Sequence, residues 1–178
     1  MIRIPNPLRP ATRLLLALAT LAAAASPGAA QTATTKQTLT LDGAQKVLAL
    51  AAAEAKRLNA GGAIAVVDEG DHLLALERLD GTFPAAWSVS VGKARTAAQF
   101  RRPTRVFEEA IKGGRISLTA VPEMVPLQGG VPLYVAGQLV GAIGVSGAAS
   151  AQQDDDIAQA VADRFAGTAK TAASAGGM

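Results

Sequence analysis

The stretch LVGAIGVSGAAS, residues 139–150, has a glycine at every third position: Gly141, Gly144 and Gly147. A Walker-type phosphate loop would need a lysine followed by serine or threonine after the glycines, and none follows. A membrane-packing motif would need a longer apolar segment. The stretch is therefore predicted as a β-strand, in which Gly144 faces the opposite way from Gly141 and Gly147. Glycine weakens a strand unless something approaches the backbone closely, so we expect both faces to be covered, by helices or by a flat ligand.

Periodic patterns around this strand predict the rest of the fold. Apolar residues recur every three or four positions from Leu41 to Leu58, which predicts a helix capped by Thr40. The further patterns predict a β-hairpin over 63–80, helices over 84–100 and 104–112, an irregular segment or weak strand over 115–130, a hairpin from Leu133 that turns at Ala136-Gly137, and a helix capped by Ser150. Strands that pair locally give an antiparallel sheet. The fold class is therefore α+β, an antiparallel β-sheet with flanking helices in a single layered domain.

The first 30 residues have the features of a signal peptide. Three arginines precede the apolar run LLLALATLAAAA, and the small residues SPGAA follow it. The run is shorter than the roughly 20 residues that span a bilayer. We therefore expect cleavage after Ala30, no membrane insertion afterwards, and a periplasmic or secreted location. Residues 31–38 are predicted as a linker, 39–166 as the folded domain and 167–178 as a disordered tail.

Removal of the signal peptide makes the chain electrically neutral. Three of the 17 basic residues lie in residues 1–30 and no acidic residue does, so 14 basic and 14 acidic residues remain. This balance gives no support to nucleic-acid binding. The chain has no cysteine, which excludes disulfides and thiolate chemistry.

His72 is the only histidine, which limits the chemistry that the chain can perform. A structural zinc site needs about four nitrogen or sulfur ligands, and a Ser-His-Asp triad needs a histidine held by a buried acid. A histidine beside a hairpin turn is most often simply exposed. The alternative is an axial ligand of haem iron, a role that a single imidazole can fill.

Two charged clusters leave alternatives open. Four arginines, at positions 95, 101, 102 and 105, flank Pro103 and could bind carboxylates or haem propionates, or could simply lie in a solvated loop. The run Asp154 to Asp156 is better explained by helix capping than by a metal site, because consecutive helical residues point in different directions.

Three blocks of sequence resemble the GlcG/HbpS-like haem-binding family: AIAVVDEGDHLLALERLDG, KARTAAQFRRPT and PLQGGVPLYVAGQLVGAIGVSGAASAQQDDDIA. The resemblance covers roughly residues 39 to 166, and its most specific part is GG-x-P followed by VGAIGVSG. It implies a small domain with an antiparallel sheet and flanking helices, a homo-oligomer, and haem as the cofactor. It also implies haem sequestration, haem degradation or redox sensing as the function.

The resemblance and the residue chemistry together predict a haem site, with His72 as the iron ligand. Its cofactor-binding residues would be His72, Arg78, Lys93, Arg95, Phe100, Gly129, Gly130 and Gly144. The other candidate iron ligands are Tyr134, Thr119 and Met124. The chain has one Trp, one Tyr and four Phe, so a shallow or intersubunit pocket is expected rather than a deep aromatic one. Two other hypotheses stay open: an enzyme or binding module for a small organic acid, and a structural or sensory partner protein. No catalytic residue is predicted.

Overall fold

Two β-hairpins form one antiparallel sheet in the computed structural model, which describes residues 34–175. The strands are β1 (Ala63–Asp68), β2 (Leu73–Arg78), β3 (Gly130–Val135) and β4 (Gln138–Ser146), in the order β2-β1-β4-β3. The β3–β4 turn lies at Ala136-Gly137 as predicted, and both residues have positive φ, 49° and 78°. The predicted signal peptide, residues 1–30, lies outside the described residues. Within residues 34–175, no helix is both long and apolar enough to cross a membrane.

The described part of the chain also contains four α-helices, of which α1, α2 and α4 pack on this sheet, and the α+β prediction is confirmed. They are α1 (Leu41–Arg57), α2 (Ala86–Phe100), α3 (Arg105–Lys112) and α4 (Ala151–Ala175), and a short 3₁₀ helix (Ile116–Ala120) follows α3. The Oγ1 of Thr40 accepts a hydrogen bond from the backbone N–H of Gly43 at 3.1 Å, so the predicted cap of α1 is present. Ser150 caps α4 in the same way, through the N–H of Gln153.

The two faces of the sheet carry side chains of different size. Large side chains such as Ile64, Leu133 and Ile143 pack against α1 and α4 in the main core. The other face carries small residues, including Ala65 and Ala142, and α2 packs on it through its own alanines. Because small side chains and glycines separate α2 from the strands, this helix lies very close to the sheet.

Gly144 shows why glycine is needed in β4. A Cβ atom at this position would collide with the carbonyl oxygen of Ser90 and lie 2.7 Å from the backbone nitrogen of Ala94, both in α2. A Cβ at Gly141, on the other face, would collide with the carbonyl oxygen of Val67 and lie 3.2 Å from Leu39. Gly147 lies just beyond β4 and has φ +103°. Helix α2 therefore covers Gly144, and no flat ligand is needed to explain this glycine.

Three local features differ from the predictions. Thr104 was expected to cap α3, but its Oγ1 accepts a hydrogen bond from the N–H of Gly130 at 2.9 Å, because the chain brings β3 next to it. Residues 116–120 form a 3₁₀ helix where an irregular segment or weak strand was expected. Helix α4 continues from the predicted tail boundary at Gly167 to Ala175, in a segment rich in alanine, the best helix former.

Candidate functional site at the β1–β2 turn

The turn between β1 and β2 is organised by the carboxylate of Asp68. Its Oδ1 accepts hydrogen bonds from the backbone N–H of Gly70 at 2.8 Å and of His72 at 2.9 Å. An aspartate that binds the main chain of following residues in this way stabilises a turn. Asp71, three residues after Asp68, has a left-handed backbone with φ 67°. The turn thus presents His72 at the start of β2 in one defined backbone conformation.

The same carboxylate orients the imidazole of His72. Nδ1 lies 3.2 Å from both carboxylate oxygens of Asp68, and 79% of the His72 side chain is exposed to solvent. Neutral histidine in contact with a carboxylate carries its proton on the nitrogen that faces the carboxylate. Nε2 then has its lone pair free, and it makes no hydrogen bond to any residue within 34–175. This arrangement suits a histidine that ligates a metal ion.

Helix α2 holds the turn from the side. The Nε2 of Gln99 donates a hydrogen bond to Oδ2 of Asp71 at 2.6 Å, and Nε of Arg95 donates to the Asp71 carbonyl oxygen at 3.3 Å. Arg95 is exposed, and neither terminal guanidinium nitrogen bonds to a described residue. The structure therefore brings Arg95 and His72 to the same turn, where Arg95 could bind an anionic group of a ligand.

The segment before α1 also contacts this turn. Lys36 forms an ion pair with Glu69 at 3.0 Å, although residues 31–38 were predicted as a linker. Burial raises the pKa of Glu69, but hydrogen bonds to Thr38 and Lys36 outweigh this effect, so the pKa lies below its ordinary value. Glu69 is therefore ionised at neutral pH and forms an ion pair with Lys36 beside Asp68.

Lys93 lies in a buried ionic network and not at the turn. Its Nζ donates to Oδ2 of Asp154 at 2.9 Å and to the carbonyl oxygen of Val145 at 2.8 Å, and its side chain is only 3% exposed. The neighbouring Asp155 accepts from the N–H of Gly129 at 3.1 Å and from Nη1 of Arg105 at 2.9 Å. The network ties α2, α3 and β4 to the start of α4.

The other predicted haem contacts make no hydrogen bond or ion pair with the β1–β2 turn in the described part of the chain. Gly130 is buried under α2, where a Cβ atom would collide with the carbonyl oxygen of Lys93. Phe100 packs edge-on against Phe107 of α3, with ring centroids 5.2 Å apart. Arg78 lies at the far end of β2, six residues from His72, or about 20 Å at the rise of an extended strand. Of the eight predicted residues, only Arg95 shares the turn with His72.

The three alternative iron ligands lie elsewhere in the fold. The hydroxyl of Tyr134 donates to the carbonyl oxygen of Arg101 at 3.2 Å, beside the edge strand β3. Thr119 donates within the 3₁₀ helix, to the carbonyl oxygen of Ile116 at 2.7 Å, and Met124 is half-buried in the following loop. None of them is bonded to the β1–β2 turn.

Two features of the site were not predicted from the sequence: the pairing of Asp68 with His72 and the inward orientation of Asp154 and Asp155. The first had a local signal, because an aspartate two residues before a glycine is typical of a side-chain-stabilised turn. The second had no local signal. Asp154 and Asp155 are nearly fully buried whereas Asp156 is exposed, and only the position of α2 and α3 makes the difference.

Comparison with known proteins decides the family. The family model described as "Haem degrading protein HbpS-like" matches residues 39–163. The chain belongs to the HbpS-like family. Protein GlcG of Escherichia coli K12 is 45% identical over 112 residues, which are 63% of this chain and 84% of that protein. An uncharacterised 15.0 kDa protein of Citrobacter freundii is 33% identical over 132 residues, which are 72% of this chain and 92% of that protein.

Solved structures of similar proteins have the same fold. A double mutant of Streptomyces reticuli HbpS superimposes with a TM-score of 0.68 at 32% identity, covering 79% of this chain and 97% of that chain. The protein ORFY of Klebsiella pneumoniae superimposes with a TM-score of 0.69 at 30% identity, covering 75% and 94%. A PduOC–haem complex superimposes with a TM-score of 0.64 at 23% identity, covering 71% and 94%, which shows a shared fold.

Proposed function

We propose that this HbpS-like chain is an exported haem-binding protein in which His72 ligates the iron. The observation that carries the proposal is the contact of His72 Nδ1 with the Asp68 carboxylate at 3.2 Å, which leaves Nε2 without a protein partner and able to bind a metal ion. The family match, described as haem degrading, and the haem complex of the fold relative PduOC support the choice of cofactor. The exposed guanidinium of Arg95 would bind a propionate. Bound haem would supply the redox chemistry of its iron.

The residues at the turn fit an axial ligand, but they form no enclosed haem pocket. His72 is 79% exposed, and the glycine surface of β4 is already covered by α2. A second surface must therefore cover the porphyrin. This requirement supports the expectation of a homo-oligomer, in which a neighbouring copy encloses the ring.

An apolar patch provides a surface for such a copy. Four large apolar side chains between β2 and the first turn of α2 are 36–51% exposed: Leu73, Leu76, Phe83 and Trp87. Exposed apolar side chains along an edge strand and the segment that follows it are typical of interfaces. We therefore infer that copies associate through this β2 patch.

A hemin titration tests the haem proposal. Purified protein should give a saturable Soret shift, and H72A should weaken binding or change the spectrum. D68N should reduce affinity about 10–100-fold, because the imidazole loses the carboxylate that orients it. Y134F, which alters another candidate ligand, is the matched control and should behave as the unmodified protein. No saturable shift would refute haem binding, and an unchanged spectrum for H72A would remove His72 from the site.

Two further measurements test the oligomer and the export. Light scattering after size exclusion should show a smaller particle for L73Q than for the unmodified protein. L41Q, which replaces a leucine that is 56% exposed at the start of α1, should leave the particle size unchanged. Equal sizes for both variants and the unmodified protein would refute the β2 patch as the interface.

N-terminal sequencing of the exported protein should begin at Gln31, and retention of residues 1–30 would refute cleavage.

A further inference from the structure

A concave site lies at β3, on the opposite edge of the sheet from β2. It is a groove of about 250 Å³ between β3, the middle of α4 and the α2–α3 connection. Its lining residues are Arg101, Pro103, Val131, Pro132, Tyr134, Gln159, Ala162, Asp163 and Ala166. The residues of the β1–β2 turn do not line it. The groove is below the 300–1,000 Å³ typical of sites for drug-sized ligands, so its occupant must be small.

Hydrogen bonds outside the groove hold one of its walls in place. The N–H of Thr104 donates to the carbonyl oxygen of Gly130 at 2.9 Å, and the N–H of Gly130 donates to the Thr104 hydroxyl at 2.9 Å. These two hydrogen bonds fix the α2–α3 connection to β3. The hydroxyl of Tyr134 binds the carbonyl oxygen of Arg101. Arg101 itself has a left-handed backbone, with φ 54° and ψ 36°. Such a conformation costs free energy in a residue with a side chain and is enriched at functional sites.

The opposite wall is ordered by a chain of polar contacts. Nη1 of Arg105, already paired with Asp155, also donates to Oε1 of Gln159 at 3.3 Å. This contact turns the Gln159 amide so that its Nε2 donates to Oδ1 of Asp163 at 2.9 Å. Oδ2 of Asp163 remains without a hydrogen bond to any residue in the described part of the chain. The groove is therefore preformed, with an available acceptor on this side.

The charges of the lining residues indicate what the groove binds. The guanidinium of Arg101 makes no hydrogen bond or ion pair with a residue in the range 34–175, and guanidinium groups bind carboxylates through paired hydrogen bonds. The floor is apolar, formed by Val131, Ala162 and Ala166. We propose that the groove binds a small monocarboxylate with an apolar body and a hydrogen-bond donor at its other end, the carboxylate at Arg101 and the donor at Asp163.

An added β-strand is a poorer occupant of this edge. Pro132 lies in the middle of β3 and has no N–H, and proline on an edge strand disfavours pairing with another chain. A dicarboxylate is also disfavoured, because Asp163 would repel its second charge. The proposal does not depend on haem binding, since none of the residues at the β1–β2 turn takes part.

The test uses NMR titration of ¹⁵N-labelled protein with 4-hydroxybenzoate, which has a carboxylate, an aromatic body and a hydroxyl donor. We expect saturable shifts of the amides of Val131, Tyr134 and Ala162. The amide analogue 4-hydroxybenzamide, which lacks the charge, should bind about tenfold more weakly or worse. Benzoate, which lacks the donor, should also bind more weakly.

Variants at neighbouring arginines give a matched pair. R101N removes the guanidinium, and asparagine tolerates a left-handed backbone, so the variant should fold and lose at least about tenfold in affinity. R102N removes an exposed arginine that does not line the groove and should bind as the unmodified protein does. Absence of saturable shifts at the groove amides, or equal affinity of R101N and the unmodified protein, would overturn the proposal.

Discussion

Replacing Lys93 by methionine is the sharpest test of the buried network. The methionine keeps the apolar stem but leaves Asp154 buried, 7% exposed, without its cationic partner. Breaking a buried ion pair by removing one partner costs about 3–5 kcal/mol of unfolding free energy. For a domain of this size that loss lowers Tm by about 10–20 °C.

Urea unfolding followed by circular dichroism measures this loss. K46M is the matched control, because Lys46 pairs with Asp42 at 2.6 Å, a shorter distance, but both side chains are more than 70% exposed. Water already solvates that pair, so K46M should lose less than about 1 kcal/mol. The ratio of the two losses separates burial from distance as the source of the stabilisation.

A double substitution tests the physical reason. If the cost of K93M is the unpaired charge on Asp154, then K93M/D154L should be more stable than K93M alone, because no buried charge remains. The sum of the unfolding free energies lost by the two single variants would then exceed the loss of the double variant. Equal losses for K93M and K46M, or strict additivity of K93M and D154L, would refute the reasoning.

Three further predictions concern single residues. G144A should lose about 1–3 kcal/mol in urea unfolding, because the added Cβ atom meets backbone atoms of α2 that cannot move aside. G167A, where the added Cβ atom would meet open space, should stabilise α4, and equal effects of the two substitutions would contradict this account. T104V should lose about 1–3 kcal/mol, because it leaves the N–H of Gly130 buried without an acceptor, and an unchanged urea midpoint would exclude this. The hydrogen bond from Arg57 and the charge of Arg164 lower the pKa of Glu54 below 4.5, although burial opposes them. The ionised Glu54 therefore stabilises the fold above about pH 4.5, and this stabilisation is lost as the pH falls through the lowered pKa. Below about pH 4.5 the free energy of unfolding should fall less steeply with pH in E54Q than in the unmodified protein.

Most elements could be predicted from the sequence because their signals are local. The cap at Thr40, the turn at Ala136-Gly137 and the cap at Ser150 each depend on a few neighbouring residues, and all three are present. Predictions failed where a distant partner competes. Thr104 has the sequence pattern of a cap, but its hydroxyl accepts a hydrogen bond from the N–H of Gly130, which is 26 residues away.

The candidate site was predicted less completely than the fold. His72 stood out because it is the only histidine, and Arg95 proved to lie at the same turn. Gly129, Gly130 and Lys93 were chosen for a ligand, but they lie in packed or ion-paired positions. A glycine or a lysine has the same letter in the sequence whether it contacts a ligand or the protein itself, so their roles depend on what the fold places against them.

The sequence by itself determined the periodicities, turns and caps of this protein, because these depend on residues a few positions apart. It also determined the family, through blocks of residues kept in order. Only the tertiary structure decided that α2 covers Gly144, that Lys93 meets Asp154 across 61 positions, and that Arg101 and Asp163 share one groove. Contacts of this kind depend on how close two distant segments come, and that distance is set by the packing of whole helices on the sheet.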